Sequence, residues 1–260
     1  MLDQEIQQAA EEFERPASGL ILSGLSAGLG VGFSFFLIAV VTSMSSEQTS
    51  QLMVEVLTAN AFAVGFIIAI LGRMDLFTEF TTIAILPVFA KQATLGALAR
   101  LWAAVYLGNL LGASILGGLT VVVGIQTDVI SRTAIASLAG AVVGHSWWLI
   151  LISGALTGWM MGVLSWLITG GRDTTSQILF IWLITASIGL MHLPHTITAT
   201  AELCAAVLVD ACSWRELFHF LVWATLGNAI GGILFAASVV YSLHMRHKEA
   251  PESVKPSADR

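Results

Sequence analysis

Charged side chains fall in clusters along this chain, and the stretches between them are long and apolar. No Asp, Glu, Lys or Arg occurs in 16–46, 56–72, 80–90, 101–127, 133–171, 174–201 or 217–245. A helix needs roughly 20 apolar residues to cross the hydrocarbon of a bilayer, so the pattern predicts six crossings. The stretch 133–171 is too long for one, but Gly140, Gly144 and His145 place its start outside the hydrocarbon and leave a single span near 150–170. Two spans are interrupted. The second runs from Leu57 to Leu71, meets the polar run 72–79 and resumes at Phe80. The fifth runs from Ile178 to Leu190 and meets 191–202, where Pro194 removes a backbone donor and disfavours helix before it. Irregular backbone survives at membrane depth only where protein or a water-filled cavity satisfies its amides.

Composition fits the same reading. Hydrophobic residues are 56% and charged residues 11%, against about 45–50% and 25% in soluble domains. A chain with so little charge cannot cover a soluble surface, and a net charge of −6 with no basic stripe excludes a nucleic-acid binder. Lys and Arg orient the spans. With the N-terminus inside, Arg15, Arg73, Lys91, Arg100, Arg172, Arg246, Lys248, Lys255 and Arg260 are cytoplasmic, and only Arg132 and Arg215 lie outside. Both termini are therefore expected in the cytoplasm. Residues 1–17 are acidic and lack the apolar run of a signal peptide. Leu2, Ile6, Ala9 and Phe13 recur at helical spacing, which predicts a short amphipathic helix ended by Pro16, read as a solvated cap on the bundle with a gating role as the alternative. The membrane-spanning domain is expected over 18–245. A disordered tail is expected over 246–260, with Pro251, Pro256 and mixed charges.

A repeat underlies the spans. Leu107-Gly108-Asn109-Leu110-Leu111-Gly112 returns 119 residues later as Leu226-Gly227-Asn228-Ala229-Ile230-Gly231, which sets the third span opposite the sixth. Three spans per half means that the halves cross in opposite directions. Broken helices at corresponding places of two inverted halves predict a path at the repeat interface.

Several segments together resemble the formate/nitrite transporter family: Asp75-Leu76-Phe77-Thr78 in span two, His195-Thr196-Ile197-Thr198 in span five, Gly227 to Gly232 in span six, and Gly108-Asn109 in span three. The resemblance covers nearly all of 18–243. It implies an all-α, aquaporin-like fold of six spans in two inverted three-helix repeats, with helices two and five broken, assembled as a homopentamer in the bacterial inner membrane. An Asn-Pro-Ala motif, the mark of an aquaporin proper, is missing from the sequence. The implied activity is passage of small monovalent anions such as formate, nitrite or hydrosulfide, with no cofactor and no metal. By the same resemblance His195 lies in mid-pore near Thr78. Leu76, Phe77, Phe62 and Phe66 form the cytoplasmic constriction, and Ile188 takes the place of an outer aromatic. The chain departs from the pattern in four ways. No lysine occurs between Lys91 and Lys248, which leaves His145 and Ser146 as the nearest polar substitutes for a pore lysine; Gly158 replaces an asparagine; His192 adds a second histidine; Glu79 follows Thr78.

Imidazole titrates nearest neutrality, and ionisable groups inside a membrane are usually functional, so His195 is the main candidate for a pore role, with proton transfer to the anion as one option. His192, Thr198, Glu79, Glu202 and His145 are secondary. Glu79 and Glu202 are read as occupying similar places in the two halves, as charges satisfied by helix N-terminal amides. Asn109 and Asn228 are expected to hydrogen-bond across helices, and Gly108 and Gly227 to permit close approach. Cys204 and Cys212 are expected to be free thiols. Two other readings are a non-conducting scaffold or sensor, suggested by the missing lysine, and an intramembrane serine protease built on Ser153-Gly154 with His192 or His195.

Overall fold

The computed structural model describes residues 2–46, 48–171 and 173–249. Of the expected tail, 250–260 lie outside the described residues. The elements in chain order are α1 (Leu2–Glu12), α2 (Ala17–Met44), α3 (Gln51–Leu71), α4 (Phe77–Ile83), α5 (Leu86–Phe89), α6 (Leu95–Leu119), α7 (Arg132–Val142), α8 (Trp147–Gly170), α9 (Thr174–Leu190), α10 (Thr196–Leu208) and α11 (Trp214–Glu249). A π-helical turn, Thr120–Gly124, extends α6. No β-strand occurs among the described residues.

Five of these helices are long and apolar enough to cross a membrane: α2, α3, α6 with its π turn, α8 and α11. The sixth expected crossing is divided between α9 and α10, which are 17 and 13 residues long. The segment 133–171 resolves into short α7 and membrane-length α8, joined across Gly144, whose φ of 94° suits a residue without Cβ. The last helix runs through Glu249, into the segment expected to be disordered.

The inverted repeat extends to the backbone. Positive φ occurs at Arg73 and His192, 119 residues apart, and again at Lys91 and Asp210, the same distance apart. Helix α2 packs on α6, and its counterpart α8 packs on α11. Small residues set both crossings. A Cβ at Gly28 would strike the Asn109 carbonyl oxygen, and one at Gly158 would strike the Asn228 carbonyl oxygen. The paired crossing glycines Gly108 and Gly227 meet the carbonyls of Ile21 and Leu151. Gly158 therefore cannot be a slot left by an absent asparagine side chain, because the neighbouring backbone fills that space. Gly158→Leu is expected to abolish assembly of the folded protein, whereas Gly140→Ala, where a Cβ meets nothing within 4 Å, should leave it intact. Size-exclusion profiles in detergent would check both.

The half-helices are exchanged between the repeats. α4 packs on α8 and α11 of the second half, and α10 packs on α6 and α2 of the first. α1 is more than a solvated cap, since Glu5 and Ala9 are buried against the bundle. The Thr169 hydroxyl at the end of α8 donates to Glu5 at 2.6 Å, and burial pushes that carboxyl up from the usual range. Beyond α1, Arg15 pairs with Glu12 and with Asp75, its guanidinium nitrogen 3.0 and 2.9 Å from the two Asp75 oxygens. Arg100 donates to the Phe13 carbonyl at 2.6 Å.

Candidate functional site: two half-helix ends meeting at His195

Both breaks are shorter than the polar runs suggest. Helix resumes at Phe77 and at Thr196, so Thr78, Glu79 and Thr198 belong to first turns and not to loops. The threonines stay helical because their hydroxyls bond back to carbonyls of the preceding turn: Thr81 to Thr78 at 2.8 Å, Thr200 to Thr196 at 2.8 Å.

Each break is pinned by one buried asparagine in the same manner. Asn109 Oδ1 accepts the Phe77 N–H at 2.8 Å, and its Nδ2 donates to the carbonyls of Gly24 and Asp75, both at 2.8 Å. Asn228 Oδ1 accepts the Thr196 N–H at 3.0 Å, and its Nδ2 donates to Gly154 at 3.0 Å and Pro194 at 2.9 Å. Every partner except the glycines is displaced by 119 residues. The repeat also pairs Tyr106 with Thr225, and these two touch, oxygen to oxygen, at 2.7 Å. The only sequence signal of this contact is position, since Tyr106 and Thr225 directly precede the two matched hexapeptides.

At the resumption points the halves differ. Position 76 is Leu and its counterpart is His195. The His195 ring caps α10, with the Thr198 N–H donating to Nδ1 at 3.4 Å and the Thr198 hydroxyl 3.3 Å from the same nitrogen. An Nδ1 that accepts a backbone N–H carries no proton of its own, so in the neutral ring Nε2 carries it. Nε2 lies 2.9 Å from Thr78 Oγ1. The imidazole thus donates to Thr78 and leaves the Thr78 hydroxyl proton free to be donated elsewhere. His195 is 2% exposed and Thr78 fully buried. Phe66 meets the ring edge-on at 4.7 Å and Phe62 at 6.5 Å. Among the described residues the N–H groups of Thr78 and of its counterpart Ile197 have no acceptor. Two helix N-termini, each with a free donor, therefore converge on one imidazole.

His195 forms the floor of a cavity of about 700 Å³ at the end of the bundle away from α1. Its lining includes Phe62, Ile188, His192, Thr198, Glu202 and His145. Phe66, Leu76 and Phe77 are buried outside that lining.

The sequence model of the formate/nitrite transporter family matches residues 1–242. The chain belongs to the formate/nitrite transporter family. It is 28% identical over 234 residues to the inner membrane protein YfdC of Escherichia coli K12, covering 89% of this chain and 74% of that one. It is 22% identical over 248 residues to the formate channel BtFdhC of Bacillus thuringiensis, covering 93% of each. Among solved structures it superposes on a pentameric formate channel with formate bound at a TM-score of 0.76, with 20% identity, covering 88% of this chain and 98% of that one. An aquaglyceroporin from Plasmodium falciparum matches at 0.53, with 16% identity, covering 89% of this chain and all of that one. The aquaporin-like fold expected of the family is thus present.

In this formate/nitrite transporter family member the remaining candidates separate. The expected grouping of Phe62 with Phe66, Leu76 and Phe77 divides. Phe62 lines the cavity beside Ile188, while Phe66, one helical turn further along α3, lies beyond it. One turn is about 5.4 Å along the axis, enough to put two stacked rings, 5.0 Å apart, on different levels. His192 stands at the cavity wall with a 67% exposed side chain, bonded to Glu55 at 2.9 Å. His145 is exposed, and its Nε2 bonds the Ala141 carbonyl at 3.1 Å. Glu79 and Glu202 are not counterparts, because a 119-residue offset pairs Glu79 with Thr198 and Glu202 with Ile83. Ser153 donates to the Leu149 carbonyl at 2.6 Å, while the two histidines bond Glu55, Thr78 and Thr198. A serine–histidine catalytic pair is therefore not formed. Cys204 and Cys212 are both free.

Proposed function

We propose that this protein passes small monovalent anions, such as formate, nitrite or hydrosulfide, across the bacterial inner membrane. It does so as a homopentamer of six-crossing protomers over 18–245, each with its own route and with both termini cytoplasmic. The observation that carries this reading is the contact of buried Thr78 with His195, which lines the floor of the cavity, so that the N-termini of α4 and α10 meet just beneath it. Half-helix N-termini present positive dipole ends and free amides, which favour a negative substrate without a fixed cation. Relatives named as a formate channel and as nitrite transporters support the substrate class. His195 orients the Thr78 hydroxyl toward the route. Phe62 and Ile188 narrow the outer side, and Phe66, Leu76 and Phe77 close the inner side to hydrated ions.

Purified pentamer in proteoliposomes, assayed with formate, nitrite, hydrosulfide, chloride and sulfate, tests the reading. Passage of the first three, with sulfate excluded, is the expected result. A correctly assembled pentamer that passes none of the five would instead make the protein a membrane scaffold or sensor.

A further inference from the structure

Helix α10 turns one stripe toward the cavity: His195 at its cap, then Thr198, Ala199 and Glu202. The spacing i, i+3, i+4, i+7 puts all four on one face, and seven residues of helix set Glu202 about 10 Å from His195 along the axis. Glu202 is half-buried and lines the cavity. Among the described residues it has no hydrogen-bond or ion-pair partner. Among the described residues no Lys or Arg lines the cavity. The other titratable groups lining it are Glu55 on α3, bonded to His192; His192 itself; His145 before α8, bonded to a backbone carbonyl; and His195, while the Cys212 thiol beyond the end of α10 lies outside the lining but within the electrostatic reach of Glu202. An anion descending to His195 must therefore pass a carboxylate that nothing neutralises, and two like charges a few ångströms apart at the edge of a membrane repel by several kcal/mol. Protonation of Glu202 removes that repulsion.

His195 is badly placed to supply a proton. Its single ring proton is held by Thr78, and Nδ1, the site a second proton would take, is occupied by the Thr198 N–H.

We infer that Glu202 is the proton donor that turns the arriving anion into its neutral acid. This inference rests on the anion-passage reading above. The step is an exchange of one proton: the Glu202 carboxyl O–H breaks, an O–H forms on the anion (for formate, HCOO⁻ becomes HCOOH), and Glu202 is left as the carboxylate. Total charge in the cavity is unchanged and no electrons are transferred. The neutral acid passes His195 and the buried ring beyond it, and the Glu202 carboxylate takes up a new proton from the outside solution with which the cavity communicates, so each cycle carries one anion and one proton inward together.

The test is the initial rate of formate influx into proteoliposomes against outside pH, with the rate of protein-free vesicles subtracted. The measurement is made on wild type, Glu202→Gln and Glu202→Asp. At neutral outside pH Glu202→Gln is expected to be at least tenfold slower than wild type. The gap should close as the outside pH falls toward the pKa of formic acid itself, because the solution then supplies the neutral acid. Glu202→Asp should keep most of the wild-type rate. A Gln variant equal to wild type at every pH overturns the inference. So does a Gln variant slower by the same factor at every pH, which would mark Glu202 as structural. Absence of influx in the wild type would defeat the anion-passage reading, a result distinct from either.

Discussion

Replacing His195 with Asn should lower anion flux per folded pentamer at least tenfold, equivalent to about 1.4 kcal/mol on the barrier, while the protein assembles normally. Asparagine is among the best N-cap residues, so the Thr198 N–H keeps an acceptor and α10 still begins at Thr196. What is lost is reach. The imidazole spans from Thr198 to Thr78 Oγ1, at 3.3 and 2.9 Å, whereas the shorter amide cannot bridge both. The Thr78 hydroxyl is then undirected, and the space beside Phe66 opens to water that the ring excluded. A histidine serving only as core would show the opposite result: a lower melting temperature and unchanged flux per pentamer. The dependence of flux on outside pH should keep its shape in His195→Asn, because the proton is supplied at Glu202. Flux of wild-type magnitude in the Asn variant would remove His195 from the route.

Much of this arrangement is legible in the sequence, for identifiable physical reasons. Charge-free runs mark the long helices because lipid tolerates little else, and the hexapeptide repeat around Asn109 and Asn228 marks the inverted halves because both asparagines perform the same three-bond task. Other features leave no compositional trace. Arg73 and His192 share a left-handed backbone, yet nothing in either side chain announces it; only the 119-residue offset does. The polar threonines 196, 198 and 200 read as a break because hydroxyls look like loop residues, and only the geometry reveals that they satisfy themselves or the cap within a helix. Phe62 and Phe66 look like one unit in sequence because aromatics four apart stack, but the stack runs along the route and its members sit at different depths. The role of α1 is hidden for another reason: an acidic residue such as Glu5 is expected to face water, and its burial follows from Thr169, which lies 164 residues away.

Asn228→Ala should destabilise the protein more than almost any other single change to alanine, by roughly 3–5 kcal/mol. A buried donor or acceptor left unpaired costs about 1–3 kcal/mol, and this truncation orphans three at once: the Thr196 N–H and the carbonyls of Gly154 and Pro194. Some of that cost is recovered if water enters the break, which faces the cavity. Asn109→Ala orphans the Phe77 N–H and the carbonyls of Gly24 and Asp75. The three bonds to those groups are all buried, whereas the Asn228 bond to Pro194 is only part-buried, so water has less access to the first break. The two counterparts should therefore differ, with Asn109→Ala the more damaging despite an identical bond count. Thermal unfolding in detergent for Asn109→Ala, Asn228→Ala and the two Asn→Asp variants measures the difference. The Asp side chain keeps the acceptor for the helix N–H but loses both donors, so each Asp variant should fall between its Ala counterpart and the wild type. If Asn228→Ala unfolds at the wild-type temperature, the break is held by packing alone, and the equivalence of the two asparagines has no energetic content.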